Sequence, residues 1–413
     1  MRFRLLSASP FSTGSAACGE FLKCLKKTES EYDMDFLLSK FMHSPNISDS
    51  FVKQYGYFLN FLLRSIATDS RFENSVFSPW SIITLLNIAA DAASGKTREE
   101  ITDALWGPDS GGDFRRTFLD IRKLYDKCRN FRNANAICIK KGLDHTVSPD
   151  FRKFLKSSYQ CRVFSSENMV SEVNAWICEM TNGMIDRIAD DSVSDMLFCM
   201  MNAVSFESEW KIKHKNSDIH KDYFHNADGT DVLIDMLASS EDYFVENGSC
   251  TGVIKPYKDD DFSFMALLPK EEGPRAFDQA IRDADFTNLY NTRRKYEVCT
   301  EIPEFSISAE FDLTDACRRA GIRRIFTSEA DFSRMTTEKL IAKGIIHKAS
   351  IDVDRNGTTA SGATAMLLFM GEPDFSQIRY VCFDRPFLFA VIHNKTGLPV
   401  FTGAVKHIGK KGE

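Results

Sequence analysis

Apolar side chains in the first half of the chain recur with the period of an α-helix. A helix is predicted from Asp49, with Asp49 or Ser50 as its N-cap. Residues 82–93 are small and carry few charges, which predicts a helix buried on most sides. A further amphipathic helix is predicted from Phe114. The apolar faces of the first and last of these helices comprise Phe51, Tyr55, Phe58, Leu59, Leu62 and Leu63, and Phe114, Phe118, Ile121, Tyr125 and Cys128.

The second half of the chain is rich in short apolar runs with β-branched and aromatic residues. These runs predict strands at 262–268, 296–302, 387–392 and 399–405. Helices that precede strands in this way predict an α+β fold. No internal repeat and no Pro/Gly/Ser-rich linker divides the chain, so residues 49–413 are expected to form one domain.

Residues 1–48 are interpreted as an N-terminal extension of that domain. Apolar residues at helical spacing between Met34 and Met42 predict a short helix that ends before Pro45. We expect this helix to dock on its own domain, and binding to a partner or to a membrane surface is the alternative.

The charge balance bears on the classes of partner. The formal net charge of −6 gives no overall basic field, so nucleic-acid binding is not expected. No apolar run reaches the roughly 18 residues that a membrane span requires, so no such span is predicted. The hydrophobic content of 43% predicts a sizeable buried core instead of disorder.

The cysteines and the N-terminus favour a cytoplasmic or non-classically released protein. The chain has eleven cysteines and no CxxC pair, a pattern typical of reduced core thiols. Ser7, Ser9 and Pro10 interrupt the apolar stretch that a signal peptide would need. An extracellular or cell-surface location stays open because four Asn-x-Ser/Thr sequons begin at Asn46, Asn247, Asn356 and Asn394.

Motifs of known enzymes and cofactor sites are missing from the sequence. It contains no GxSxG elbow, no HExxH, no GxxxxGK[ST] loop and no GxGxxG turn. His214, His220 and His225 are the nearest approach to a histidine cluster, and we interpret them as surface residues in a polar stretch. No catalytic residue, cofactor or metal site is therefore predicted.

Residues 357–371 have an unusual composition. Eight small, uncharged residues from Gly357 to Thr364 precede an apolar run, and polar residues flank the pair. A flexible linker followed by a buried strand is one interpretation. The other is an exposed loop that can become a strand, which is an aggregation hazard unless insertion is its purpose.

The sequence resembles the serpin family in several stretches that occur in the family's order. These stretches are 74–81 (NSVFSPWS), Asn174-x-Trp176 with 181–183, 202–210 (NAVSFESEW), 303–333 and 385–403. The resemblance implies three β-sheets, about eight or nine helices and an exposed reactive-centre loop over about 355–380.

The resemblance also implies a function. It implies a suicide-substrate inhibitor of a serine protease, which inserts its cleaved loop into the central sheet as a new strand. The chain would then be an inhibitor and not an enzyme, a monomer, and free of cofactors. A non-inhibitory serpin that acts as a carrier, chaperone or surface-interaction protein is the alternative.

In this comparison the small-residue segment is the hinge of the loop. Thr358, Ala360, Gly362 and Thr364 are assigned to the inward face, where charge, bulk or proline would oppose insertion. The full hinge consists of Gly357, Thr358, Thr359, Ala360, Ser361, Gly362, Ala363 and Thr364. Counting from Gly357 as in the family, we expect cleavage within Phe369, Met370, Gly371 and Glu372, by a chymotrypsin- or elastase-like enzyme.

Two further groups of residues follow from the resemblance. A polar cluster beneath the sheet opening, with the tryptophan at the insertion point, would comprise Ser78, Ser81, Asn202, His347 and Trp210. A heparin-like polyanion could bind the helix that carries Arg115, Arg116, Arg122 and Lys123, although a solvated face is the preferred interpretation. Arg355 departs from the family, which usually has Glu there, and it could weaken the anchorage of the loop.

Overall fold

The computed structural model describes residues 47–69, 73–108, 111–191, 196–358 and 378–409. Three predicted features lie outside these residues. They are the helix between Met34 and Met42, the hinge beyond Thr358, and the cleavage window from Phe369 to Glu372.

Nine α-helices lie in the described part of the chain, which agrees with the expected number. They are α1 (Asp49–Asp69), α2 (Pro79–Ala92), α3 (Gly95–Trp106), α4 (Gly111–Tyr125), α5 (Pro149–Tyr159), α6 (Met169–Met180), α7 (Pro274–Asp283), α8 (Phe286–Asn291) and α9 (Thr314–Arg319). Among the described residues, no helix is long and apolar enough to cross a membrane.

The starts of the first two helices follow from their capping residues. At α1 the hydroxyl of Ser48 accepts a hydrogen bond from the Phe51 amide (3.2 Å), so the N-cap lies one residue before the predicted Asp49. At α2 the Ser78 hydroxyl accepts from the Ser81 amide (3.1 Å), and Pro79 occupies the first helical position. Both ends satisfy amides that a helix would otherwise leave without a partner.

Sixteen strands accompany these helices in the described residues. They are β1 (Ser75–Phe77), β2 (Phe131–Lys140), β3 (Arg162–Ser166), β4 (Phe198–Phe206), β5 (Ser208–Glu209), β6 (Ile219–His225), β7 (Asp231–Glu246), β8 (Cys250–Pro256), β9 (Phe262–Pro269), β10 (Arg294–Pro303), β11 (Phe305–Asp312), β12 (Ile346–Val353), β13 (Gly357–Thr358), β14 (Ile378–Cys382), β15 (Phe387–His393) and β16 (Leu398–Val405). The four predicted strands are confirmed as β9, β10, β15 and β16.

The strands pair in a way that leaves two sheet edges facing a cavity. Nine strands form one sheet in the order β1-β16-β15-β9-β8-β7-β10-β14, with β6 paired to β7. A three-stranded sheet runs β3-β2-β4, a two-stranded sheet pairs β11 with β12, and β13 pairs with β5. Helices that precede and cover these sheets confirm the α+β class.

Helix α2 lies at the centre of the core. Most of its residues are buried, and Trp80 stacks on Phe118 of α4 with ring centroids 4.5 Å apart. Fully burying one large apolar side chain contributes about 1.5–3 kcal/mol, so this helix contributes strongly to stability. This central position explains why few residues of α2 are charged. The same scarcity of charge predicted the burial of the helix.

A cavity of about 450 Å³ separates β4 from β12. Its walls include Met200 and Val204 on β4 and Ala349 on β12, and Ile82 of α2 and Ile177 of α6 also line it. We call this space, with the edges of β4 and β12, the sheet cleft. Within the described residues, the ladder of β4 is with β2 and that of β12 is with β11, so both strands offer main-chain groups toward the cleft.

Candidate functional site

The first residues of the predicted hinge already pair with a strand at one end of the sheet cleft. Gly357 lies opposite Glu209 and Thr358 opposite Ser208, in antiparallel register. The Trp210 amide donates to the Asn356 carbonyl (2.9 Å). The chain reverses between β12 and β13 through Asp354, whose carboxylate accepts from the amides of Asn356 (2.7 Å) and Gly357 (3.0 Å). Residues 357 and 358 therefore occupy the start of a new strand beside β5.

Gly357 is required by the close approach of the two backbones. Its φ is 154°, and an added Cβ would lie 2.3 Å from the Ser208 carbonyl oxygen and 2.6 Å from the Glu209 Cα. These distances are shorter than van der Waals contact, so any larger residue would push β13 away from β5.

Trp210 packs against the chain reversal that leads from β12 into the hinge. Its ring is 1% exposed and stacks on Tyr257, with centroids 4.7 Å apart and an interplanar angle of 7°. The indole nitrogen donates to the Asp354 carbonyl (2.8 Å). Trp210 thus binds both sides of the chain reversal, from Asp354 to Asn356. The roles of Tyr257 and Asp354 were not predicted from the sequence, since neither lies in a resembling stretch.

Arg355 is anchored, contrary to the expectation that its charge could loosen the loop. Its Nε lies 3.0 Å from Glu304 Oε1, and its amide donates to the same oxygen (3.2 Å). The hydrogen bond to Glu304 raises the pKa of Arg355, as expected for a favourable ion pair. Glu304 lies within the 303–333 stretch, and its charge opposite to that of Arg355 is the sequence signal that could have identified the pair.

Reversing one charge of this pair should destabilise the protein, and reversing both should restore much of the loss. Arg355→Glu and Glu304→Arg should each lower the free energy of unfolding by about 1 kcal/mol, because each places two like charges together at a partly exposed site. A double-mutant cycle measured by urea unfolding gives the coupling energy. Additive effects in the double variant would rule out a direct interaction.

The cluster beneath the cleft brings together three of the predicted polar residues. The Ser78 amide donates to His347 Nε2 (3.0 Å), and the Ser78 hydroxyl donates to the Val400 carbonyl (2.7 Å). Ser81 belongs to the same cluster, because its backbone amide donates a hydrogen bond to the Ser78 hydroxyl. Burial lowers the pKa of His347 to about 4, so the ring is neutral near pH 7 and can accept this hydrogen bond. The hydrogen bond between His347 and Ser78 therefore links β12 to the start of α2.

Asn202 lies across the cleft from His347 and does not bond to it. Its amide nitrogen donates to the side-chain oxygens of Asn133 and Asn135 on the neighbouring β2, at 2.7 Å each. Its own side-chain oxygen is buried with no hydrogen-bond partner among the described residues. The polar residues predicted as one cluster are therefore divided between the two edges of the cleft, and Asn133 and Asn135 were missed.

Three of the four predicted polyanion-binding side chains are engaged by carboxylates. Arg115 contacts Asp91 (2.8 Å), and Lys123 contacts Asp120 (2.9 Å). Arg122 is 4% exposed and pairs with an aspartate four residues later (2.7 Å). Arg116 is exposed. These ion pairs offset most of the positive charge that the sequence of α4 suggests.

The three histidines considered at the sequence level do not form a common site. His220 and His225 are exposed, in agreement with the surface interpretation. His214 is half-buried, and its Nδ1 lies 2.9 Å from the Ala238 carbonyl. Burial lowers the pKa of His214 to about 4, so the surface interpretation is wrong for this residue.

Comparisons with known proteins agree with this geometry. A family model described as Serpin (serine protease inhibitor) matches residues 56–408. An uncharacterised serpin-like protein of Thermococcus kodakarensis is 28% identical over 80% of this chain and 80% of its own length. Plasminogen activator inhibitor 1 of Bos taurus is 27% identical, over 83% of this chain and 89% of its own. The native structure of the thermophilic serpin tengpin superposes with a TM-score of 0.79, at 26% identity, over 89% of this chain and 96% of tengpin.

Proposed function

The chain belongs to the serpin family, and from that premise we propose that it is a suicide-substrate inhibitor of a serine protease. Membership of this family makes the chain a protease inhibitor or another protein of the serpin fold, and not an enzyme. The single observation that carries the inhibitory proposal is the sheet cleft, with β13 already paired at its entrance.

The geometry of the cleft suits a strand that enters from Gly357. Residues 198–204 of β4 and 346–349 of β12 line the cavity, and both strands offer main-chain donors and acceptors along the edges that face it. A strand that continued the register of β13 past Ser208 would run antiparallel to β4 and fill the space between the two edges. The mainly apolar walls favour small, uncharged side chains, which are those of the hinge from Thr358 to Thr364.

Inhibition would proceed through an acyl-enzyme that insertion traps. The serine oxygen of the protease attacks the scissile carbonyl and forms an ester, while the peptide nitrogen takes a proton and leaves as a new amino terminus. Insertion of the hinge then carries the esterified protease along the sheet. Fifteen inserted residues would span roughly 50 Å. The ester persists if insertion distorts the protease before water attacks it.

The proposed cleavage window, Phe369 to Glu372, agrees with the position of the returning strand. Strand β14 begins at Ile378, and Arg379 pairs with Val298 of β10 in parallel register. The guanidinium of Arg379 lies 4.1 Å from the centroid of the Tyr296 ring. A trypsin-like cut after Arg379 would require opening this strand, whereas the window lies upstream of it. We therefore propose a chymotrypsin- or elastase-like target.

Incubation with chymotrypsin, elastase and trypsin tests the proposal. We expect an SDS-stable complex with chymotrypsin or elastase, and a released C-terminal peptide that begins at Met370, Gly371 or Glu372. Peptide sequencing identifies the bond. A stable complex whose released peptide begins at Tyr380 would contradict the window, and cleavage of the loop by every protease without any stable complex would contradict inhibition.

The alternative is a non-inhibitory serpin that acts as a carrier, chaperone or surface-interaction protein. A weakly anchored loop, expected from Arg at position 355 in place of the usual Glu, would permit this alternative. The ion pair of Arg355 with Glu304 removes that argument, because the base of the loop keeps a charged anchor. A monomeric state stays a prediction. Binding of a heparin-like polyanion to α4 also stays a prediction, with little support from the ion-paired side chains of that helix.

A further inference from the structure

A second group of side chains with metal-binding chemistry lies outside the sheet cleft. We propose that Cys128, Asp261 and His393 bind a divalent cation of borderline softness, with Zn²⁺ as the best match. One potential ligand atom from each side chain lies within 4.8 Å of the other two. Thiolate, imidazole and carboxylate are together the ligand types that zinc uses in proteins, whereas magnesium and calcium prefer oxygen ligands alone.

The fold brings these residues together from three distant parts of the sequence. Asp261 directly precedes β9 and His393 ends β15. These strands are neighbours, and His393 lies opposite Phe262 in their register. Cys128 follows α4, and its amide donates to the Tyr125 carbonyl (3.0 Å), which holds the thiol at the end of that helix. The site would therefore join the connection between α4 and β2 to the large sheet.

The imidazole of His393 has one nitrogen that ordinary packing leaves unused. The residue is 0% exposed, and its Nε2 has no hydrogen-bond partner among the described residues. Its Nδ1 lies 3.0 Å from the Thr396 hydroxyl oxygen. With Nδ1–H donating to that oxygen, Nε2 carries a lone pair in a buried position, at an energetic cost that a bound cation would remove. A second-shell hydrogen bond of this kind is common for metal-bound histidines.

The three ligand atoms can reach bonding distance with small movements. Tetrahedral zinc with bonds of about 2.0–2.3 Å needs ligand atoms roughly 3.3–3.8 Å apart, so atoms that lie within 4.8 Å of one another must approach by at most about 1.5 Å. The Asp261 side chain is 31% exposed, which gives it freedom to turn and gives the cation a route from solvent. It lies 3.7 Å from Lys395 Nζ, and that exposed cation would have to move aside. Water can fill the fourth position.

The proposed site lies close in the sequence to a residue that contacts β5, the strand paired with the hinge. Two residues after Cys128, the Asn130 side chain donates to the Ser208 hydroxyl (2.8 Å). Ser208 lies on β5 and pairs with Thr358 of the hinge. A cation bound at Cys128 would fix the connection that supports β5. The proposal of a binding site does not depend on this consequence or on inhibition of a protease.

Calorimetric titration of the full chain with ZnCl₂, after treatment with a chelator, tests the site. We expect one high-affinity zinc per chain, and a Co²⁺-loaded sample should have a thiolate-to-metal charge-transfer band. Asp261→Asn and Cys128→Ser should each weaken zinc binding tenfold or more, because each removes one ligand. Asp261 lies at the rim of the pocket, so its amide variant is expected to fold even if the cysteine variant does not.

Two control variants make the result specific. Cys161→Ser removes a different buried thiol. Asp222→Asn removes a carboxylate from a second cluster, formed with His220 and Glu301, that could bind metal weakly. Both controls should keep the affinity of the unaltered chain. Absence of zinc uptake, or equal affinity in Asp261→Asn and Asp222→Asn, would overturn the proposal.

Discussion

Cleavage of the loop within the proposed window should raise the unfolding temperature of the protein by about 10 °C or more. The gain comes from filling the sheet cleft, whose cavity measures about 450 Å³. At about 24 cal/mol per Å³ of cavity, filling it contributes about 11 kcal/mol. The unfolding entropy of about 2.1 cal/mol/K per residue converts this energy to roughly 12 °C for a chain of this length. Hydrogen bonds along β4 and β12 would add to this value.

Scanning calorimetry of the intact and the nicked protein at one scan rate measures the difference. A fixed rate is needed because unfolding of a large protein is often irreversible. Cleavage must be verified by peptide mapping as lying within 369–372. Equal unfolding temperatures before and after such a cut would mean that the loop does not enter the cleft, and the non-inhibitory alternative would then be favoured.

Thr358→Arg should convert the proposed inhibitor into a substrate. Residues directly opposite each other in an antiparallel pair share a face of the sheet, and position 358 lies opposite Ser208, which is buried. The new guanidinium would face the buried side of the sheet without a partner, at a cost of several kcal/mol that opposes the pairing of β13 with β5 from which insertion proceeds. Insertion should then be slower than hydrolysis of the acyl-enzyme. We expect the yield of SDS-stable complex to fall at least tenfold, while cleavage of the loop continues.

Thr359→Arg is the matched control, because it adds the same charge one residue later. In the register of β13, an inserted residue 359 would lie opposite Glu207, which is half-exposed, and residue 360 opposite buried Phe206. Side chains alternate between the two faces of a strand, so this arginine should reach solvent. The control should keep most of the complex yield. Equal yields from the two variants would remove the basis for assigning Thr358 to the inward face.

Much of the local structure could be predicted from the sequence, because local structure depends on patterns within a few residues. The helical spacing after Asp49 and the four apolar runs of the second half indicated elements that the structure confirms. The N-cap of α1 was wrong by one residue, since Ser48, Asp49 and Ser50 are all suitable caps and the sequence does not rank them. The hinge was predicted from its composition and from the family resemblance, and beyond Thr358 it stays a prediction.

The contacts of the candidate site could be predicted only in part. Ser78, Ser81 and His347 were expected together and lie together, because the capping of α2 and the pairing of β12 with β11 fix their positions. Asn202 was expected in the same cluster. It instead donates to Asn133 and Asn135, because the open cleft keeps β4 away from β12 and leaves β2 as its neighbour.

The sequence by itself determined the elements of this protein, its family and the composition of its hinge. Each of these features depends on residues that are close together along the chain, or on stretches that occur in a fixed order. Only the tertiary structure decided that Glu304 forms an ion pair with Arg355, and that Cys128 and His393 lie near each other. Such pairs depend on how distant strands and helices pack, because distance in space, unlike periodicity, is not encoded in neighbouring residues.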